Sequence, residues 1–285
     1  MQQKELDKNL QMEPITKIEK QIAACQNELE KLNNRKNFPY VYIVVAIPTT
    51  ILFMLLTYIS NGLLSLTTGI TGSLFFSLLI TSTYVVLYQP TKEELVRDLI
   101  RQIKKLNRDK AKMIAGIKGE KDVQYALKWL PEEYVVINNV NLAAHNLESQ
   151  QIDHLVVGPN GIFHLETKNI NGAILITSKG EWSILKASQN RVIRENIESP
   201  YQQIERHEAV LNKIVAQHFK KGKIPLVSLV VLAHPRTIIE GVDPQLYVVK
   251  KDRVTEFIRN FQPEIQLSPK KIRAVTLSVI DAVVE

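Results

Sequence analysis

The sequence predicts a mixed α/β domain of ordinary size, carried behind two long apolar segments. Three observations predict it. No Asp, Glu, Lys, Arg or His occurs over the roughly 55 residues between Lys36 and Lys92. Apolar stripes at helical spacing lie on either side of that stretch, and from about Ala115 onward helical spacing alternates with period-two runs.

The uncharged stretch is far longer than the ~18 apolar residues of a single membrane span. Residues 40–60 and 66–88 are each long enough to cross a bilayer core, and Asn61 and Gly62 form a short polar break between them. Phe38, Tyr40 and Tyr42 at one end, with Tyr84 and Tyr88 at the other, match the aromatic belts of membrane interfaces. Lys31, Arg35 and Lys36 precede the first segment, and Lys92, Arg97, Arg101, Lys104 and Lys105 follow the second. The positive-inside rule then places both termini in the cytoplasm, so the expectation is a two-span anchor in the cell membrane. A buried helical hairpin in a soluble core is the plainer alternative, but such a pair normally shows a polar face. The hydrophilic residues that come first do not read as a cleavable signal peptide.

Before the first span, Ile15, Ile18, Ile22, Cys25, Leu29 and Leu32 recur at alternating steps of three and four, the seam of a coiled coil. After the second, Leu95, Leu99, Ile103 and Leu106 form a comparable stripe. Two helices continuing their spans would emerge side by side as an intramolecular stalk; self-association into a homo-oligomer through the same seam, or through the hairpin, is the alternative. The expected order is therefore 1–37, an amphipathic helix; 38–90, the transmembrane hairpin; 91–114, a basic juxtamembrane helix; and 115–285, the α/β domain. The basic residues from Lys104 to Lys121 suit anionic lipid heads, nucleic acid phosphates or simple solvation.

The 285-residue chain is 45% hydrophobic, with a formal net charge of +7. Its single cysteine, Cys25, excludes an intramolecular disulfide framework. No Walker-type glycine loop or zinc-cysteine pattern occurs, so the chain encodes no ATP-driven motor. His145, His164, His207 and His234 show no metal-ligand spacing, and KKGK at 220–223 reads as a basic loop or a solvated helix end.

Within the α/β domain, 119–130 has helical spacing and 134–140 reads as a strand. QIDHLVVGPNGIFHLETK at 151–168 reads as a hairpin of strands 151–157 and 162–168 about a GPNG turn. AILIT and EWSILK suggest two more strands, 199–219 an amphipathic helix with Pro200 in its first turn, and 226–233 a central strand buried on both faces. Helices at 251–260 and 268–284 close the domain.

The hairpin carries charges where apolar residues are expected. On its second strand Ile162, His164, Glu166 and Lys168 share one face, and antiparallel pairing can bring Asp153 beside Glu166. Two close carboxylates repel unless a cation lies between them. A hard divalent ion such as Mg²⁺ takes carboxylate oxygens, a backbone carbonyl and waters, and Lys168 would stand next to it, able to orient water or neutralise developing charge. The same residue types also occur as surface ion-pair clusters.

The segment GIKGEKDVQYALKWLPEEYVVINNVNL, followed by QIDHLVVGPNGIFHLETKNINGAI, a Trp182 strand and SPYQQIERH, closely resembles the nuclease-related (NERD) domain over residues 116–219. That family resembles the PD-(D/E)XK, or restriction-endonuclease-like, nucleases, a mixed β-sheet core flanked by helices. The resemblance implies that Asp153 and Glu166 bind the metal together with the Thr167 carbonyl, and that Lys168 is the catalytic lysine. It implies that Glu120 is the helix-borne acid, holding a metal-associated water or a second ion. Gln151 and His154 fall in the Q-I-D-H motif as supporting residues, with His154 on the face opposite Asp153. Gln203 matches the glutamine of the family's N-P-x-x-Q helix, where this chain has Ser199 instead of Asn. The implied function is hydrolysis of phosphodiester bonds with Mg²⁺ or Mn²⁺, on DNA or RNA at the cytoplasmic side of the membrane; a catalytically inactive nucleic-acid- or protein-binding scaffold is the alternative.

Overall fold

In the computed structural model, residues 2–34, 79, 91–188, 191–220 and 223–284 are described. The expected membrane hairpin, apart from Leu79, and the centre of KKGK lie outside them. Among the described residues no helix is long and apolar enough to cross a membrane. The chain divides into two compact units, Met1–Ala111 and Lys112–Glu285.

In the first unit, helix α1 (Gln2–Asn34) runs antiparallel to the early part of helix α2 (Lys92–Leu127). Lys110 pairs with Glu19 at 2.6 Å, Cys25 faces Gln102, and Lys92 Nζ donates to the Asn33 carbonyl. Ile15 and Leu99, both from the apolar stripes, are buried here. The helices expected at 91–114 and 119–130 are one uninterrupted helix: no proline or glycine pair separates them, and Gly116 and Gly119 are tolerated inside it.

In the second unit, strands β1 (Val135–Leu142), β2 (Gln150–Gly158) and β3 (Gly161–Lys168) form an antiparallel meander. Strands β7 (Leu226–Leu232) and β9 (Tyr247–Lys250) extend it in parallel, giving the order β1-β2-β3-β7-β9. A second sheet, β6-β5-β4-β8, comprises β4 (Ala173–Ile176), β5 (Trp182–Ser188), β6 (Arg191–Ile197) and β8 (Ile238–Glu240). Helices α3 (Tyr201–Val215), α4 (Val254–Asn260) and α5 (Pro269–Asp281) complete the unit.

Period-two alternation sends β2, β3 and β7 side chains to two separate cores. Val156, Phe163, Leu165, Leu229 and Val231 pack against Val123 and Leu127 of α2 and Val254 and Ile258 of α4. Leu155, Val157 and Ile162 pack against Val210 and Leu211 of α3 and Val275 and Val279 of α5. Val230 and Leu232 meet Ile174, Ile176, Trp182 and Ile204, which joins the second sheet to the first. The GPNG turn is fixed twice: Gly161 has φ +129°, and Asn160 Nδ2 donates to the Ile258 and Arg259 carbonyls at the end of α4.

The second sheet depends on one buried acid. Asp243 accepts from the Trp182 indole at 2.7 Å and from the Gln245 and Leu246 amides at 2.9 and 3.0 Å. Asp243→Ala leaves three donors without that acceptor. We expect it to lower unfolding free energy by on the order of 3 kcal/mol, measured by urea titration; a change within about 0.5 kcal/mol would contradict this role.

Candidate metal and phosphodiester site

The sheet is interrupted at Asp153 on both sides. Toward β1 the register runs Asn138↔His154 and then Val140↔Ile152, skipping Asn139, which takes the left-handed conformation at φ +49°. Toward β3 the ladder ends at His154↔Leu165, one step before Asp153 and Glu166 would face each other. There the Asp153 carboxylate accepts the Thr167 amide at 2.8 Å, in place of a ladder bond. The break is a kink in the ladder with no residue added to either strand, since the register is the same on both sides of Asn139.

The kink is held by the two supporting residues of the Q-I-D-H motif. Gln151, at the surface, donates to the Asn139 side-chain oxygen at 2.7 Å, and buried His154 meets the Asn138 side-chain oxygen at the same distance. They bracket Asp153 by gripping the consecutive asparagines of β1. Burial holds His154 down to about 4, so its ring is neutral.

Glu166 is 2% exposed. Its Oε1 accepts from Lys168 Nζ at 2.8 Å, and the same Nζ donates to Gln203 Oε1 at 2.9 Å. Alternation on β3 and the first turn of α3 thus bring Glu166, Lys168 and Gln203 together. Glu166 Oε2 is buried without a hydrogen-bond partner. Glu120 sits half-buried on α2, beside Gly119, where a Cβ would meet the Asn169 Cβ at 2.8 Å. The absent side chain lets α2 close on the end of β3, and Asn169 Nδ2 fastens it by donating to the Ala115 carbonyl at 2.6 Å.

The three acids resist ionisation together. Burial, then the Glu166 charge, pushes Asp153 up to about 8, against the Thr167 amide and Lys168, which favour the anion. Burial raises Glu166, opposed by Lys168 and Gln203, and burial followed by the Glu166 charge raises Glu120. A half-buried carboxyl that resists ionising beside a buried one with an orphaned oxygen suits a divalent cation as the compensating charge. Glu120 stands off from this pair: among the described residues, only His164, Glu166 and His207 bring three possible ligand atoms within 4.8 Å.

That histidine grouping has no counterpart in the sequence reading. Ser228 Oγ lies 3.0 Å from His164 Nδ1, His164 Nε2 lies 3.0 Å from His207 Nδ1, and the latter lies 3.8 Å from Glu166 Oε2. At 3.0 Å the two ring nitrogens share a proton in a hydrogen bond, so the grouping is a buried polar chain behind Glu166. Burial first, and then competition with His207 and His154, holds His164 down to about 3, while burial and then the charges of Arg206 and Lys168 hold His207 down to about 4. The available signal was spacing: His164, Glu166 and Lys168 alternate on one strand face, while Gln203 and His207 are one helical turn apart.

Residues 115–233 match the nuclease-related domain, NERD. The site lies within that match: α2 from Ala115, the β2-β3 hairpin, Gln203 and His207 all fall inside it. The chain is also 24% identical over 174 residues to an uncharacterized protein of Bacillus anthracis, covering 59% of this chain and 76% of that protein. No solved structure gives a significant match. The NERD domain points to a nuclease-related function.

Two outcomes follow from the charges. Asp153, raised in the fold, stabilises it fully below its unfolded value near 4 and loses that contribution as pH rises toward 8. The histidines, lowered in the fold, weaken it only below about 6.5. In EDTA the melting temperature should therefore fall between pH 6.5 and 8, and Mg²⁺ or Mn²⁺ should raise it more at pH 8 than at pH 6.5; a flat profile with no metal effect would contradict the site. His207→Ala should cost on the order of 2 kcal/mol in urea titration by orphaning His164, and no measurable loss would show the chain to be idle.

Proposed function

We propose that the chain is a membrane-anchored, divalent-metal-dependent nuclease that hydrolyses phosphodiester bonds of DNA or RNA on the cytoplasmic side. The observation that carries the reading is the meeting of Glu166, Lys168 and Gln203, with Asp153 released from the ladder beside them. The nuclease-related match over 115–233 supports it. The uncharged stretch between Lys36 and Lys92, with basic residues on both flanks, supports the anchor and its orientation.

Asp153 and Glu166 would hold the ion, with the Thr167 carbonyl as the backbone ligand and Glu120 steering a water or a second ion from outside. A bound Mg²⁺ or Mn²⁺ supplies the charge that stabilises the developing negative phosphoryl oxygens. Lys168 spends one N–H on Glu166 and one on Gln203, which leaves its third donor for the attacking water or a phosphate oxygen. Gln203 and Glu166 thereby fix the ammonium in place, so that little reorganisation is needed when substrate arrives.

The test is cleavage of linear, circular and single-stranded DNA and of RNA by the full chain with Mn²⁺. Lys168→Ala and Asp153→Ala should each reduce the rate on the order of a hundredfold or more while leaving the fold intact. Wild-type cleavage no faster than that of either variant would sink the reading, and retained binding without cleavage would make the domain a nucleic-acid-binding scaffold.

A further inference from the structure

Near its C-terminal end, α2 exposes an aromatic and basic face. Trp129 and Tyr125 are 71% and 61% exposed, the highest exposures among the described large aromatic side chains. Their rings meet edge to face with centroids 6.5 Å apart, and Lys128 Nζ stands 5.8 Å from the Tyr125 centroid. Lys118, Lys121, Gln124 and Lys128 are exposed around them, and none of these three lysines enters an ion pair among the described residues.

At 100° per residue to Leu127 and about 120° per residue in the tighter turn beyond it, these six side chains fall within about 180°, on one side of the helix. Glu120 lies at the edge of that arc, between it and the face that Val123 and Leu127 bury. Its charge is felt by Lys121, which opposes the rise in Glu120 caused by burial. From Glu120 to Trp129 the axial distance is about 14 Å, since the last two residues continue the helix as a tighter turn. That is the reach of a few nucleotides of extended single strand.

We propose that this face is a binding track for single-stranded nucleic acid, in which Trp129 and Tyr125 stack on bases while Lys118, Lys121 and Lys128 hold the backbone phosphates. The inference deepens the nuclease reading and rests on it for its substrate class. Charge complementarity selects the ligand: three unpaired cations around two ring faces match a polymer that offers anions and π-surfaces at regular intervals. A duplex hides its base faces and would meet only the lysines. The track therefore favours a strand already single, leading it along α2 toward the edge where Glu120 borders the site.

Trp129 is its own reporter, because the other tryptophan, Trp182, is buried at 2% exposure. Full-chain protein in detergent and EDTA is titrated with a 15-residue oligothymidylate, the matching duplex, and vesicles of phosphatidylglycerol and phosphatidylcholine. We expect oligothymidylate to quench Trp129 emission. Trp129→Ala should weaken oligothymidylate binding roughly tenfold with little change for the duplex, and Trp129→Phe should retain most of the affinity. Equal affinity in wild type and Trp129→Ala, or no quenching, would overturn the proposal. A blue shift with vesicles alone would assign the face to the membrane surface instead, and a smaller particle for Trp129→Ala in light scattering would assign it to contacts between copies. Because EDTA removes the metal, the outcome is independent of catalysis: cleavage with a failed track leaves the nuclease reading standing, and a working track without cleavage leaves only the track.

Discussion

Two carboxylates, buried Glu166 and half-buried Asp153, that must share one end of a β-sheet are the constraint on which the rest of the domain depends. Asp153 and Glu166 would face each other directly if the β2-β3 ladder continued, and it stops one step short. The cost of burying both as anions is large enough that Asp153 holds its proton to about pH 8. The neighbouring elements relieve that cost without removing it. The Thr167 amide serves Asp153, Lys168 serves one oxygen of Glu166, and the other oxygen has no partner. A protonated Asp153 beside a Glu166 oxygen that lacks a partner suits the ion binding proposed above.

Each contact around the site corrects a geometric problem set by the kink. Asn139 in the left-handed conformation breaks the β1 side, Gln151 and His154 grip the asparagines on either side of the break, and Gly119 admits α2 close enough to bring Glu120 near. Behind Glu166, Ser228, His164 and His207 form a neutral polar chain that sets a ring nitrogen 3.8 Å from the carboxylate oxygen Lys168 does not reach. Helix α3 contributes twice from one face, Gln203 to the lysine and His207 to this chain.

Much of this was legible in the residues. The apolar, β-branched runs on either side of the GPNG turn place the hairpin to within one residue at each end. The apolar run at 226–233 is the interior strand β7, between β3 and β9. Strand β6 was missed because every residue from Arg191 to Asn196 is exposed, so no alternation of burial marks it; β8 and β9 are three and four residues long, too short for a periodic signal. For the histidine chain the spacing places His164 on the Glu166 face and His207 on the Gln203 face, but their meeting with Ser228 rests on the parallel β3-β7 pairing and the docking of α3. The kink at Asp153 rests on the φ of Asn139, which sequence alone does not reveal.

The central claim is that Asp153 and Glu166 together hold a divalent cation, and calorimetric titration of the metal-free full chain with Mn²⁺ at pH 8 tests it most directly. We expect saturable binding coupled to proton release, since Asp153 loses its proton to the buffer when it takes the ion, and at least tenfold weaker binding with loss of that release in Asp153→Asn. Binding of equal strength in wild type and Asp153→Asn, or none in either, would contradict the claim.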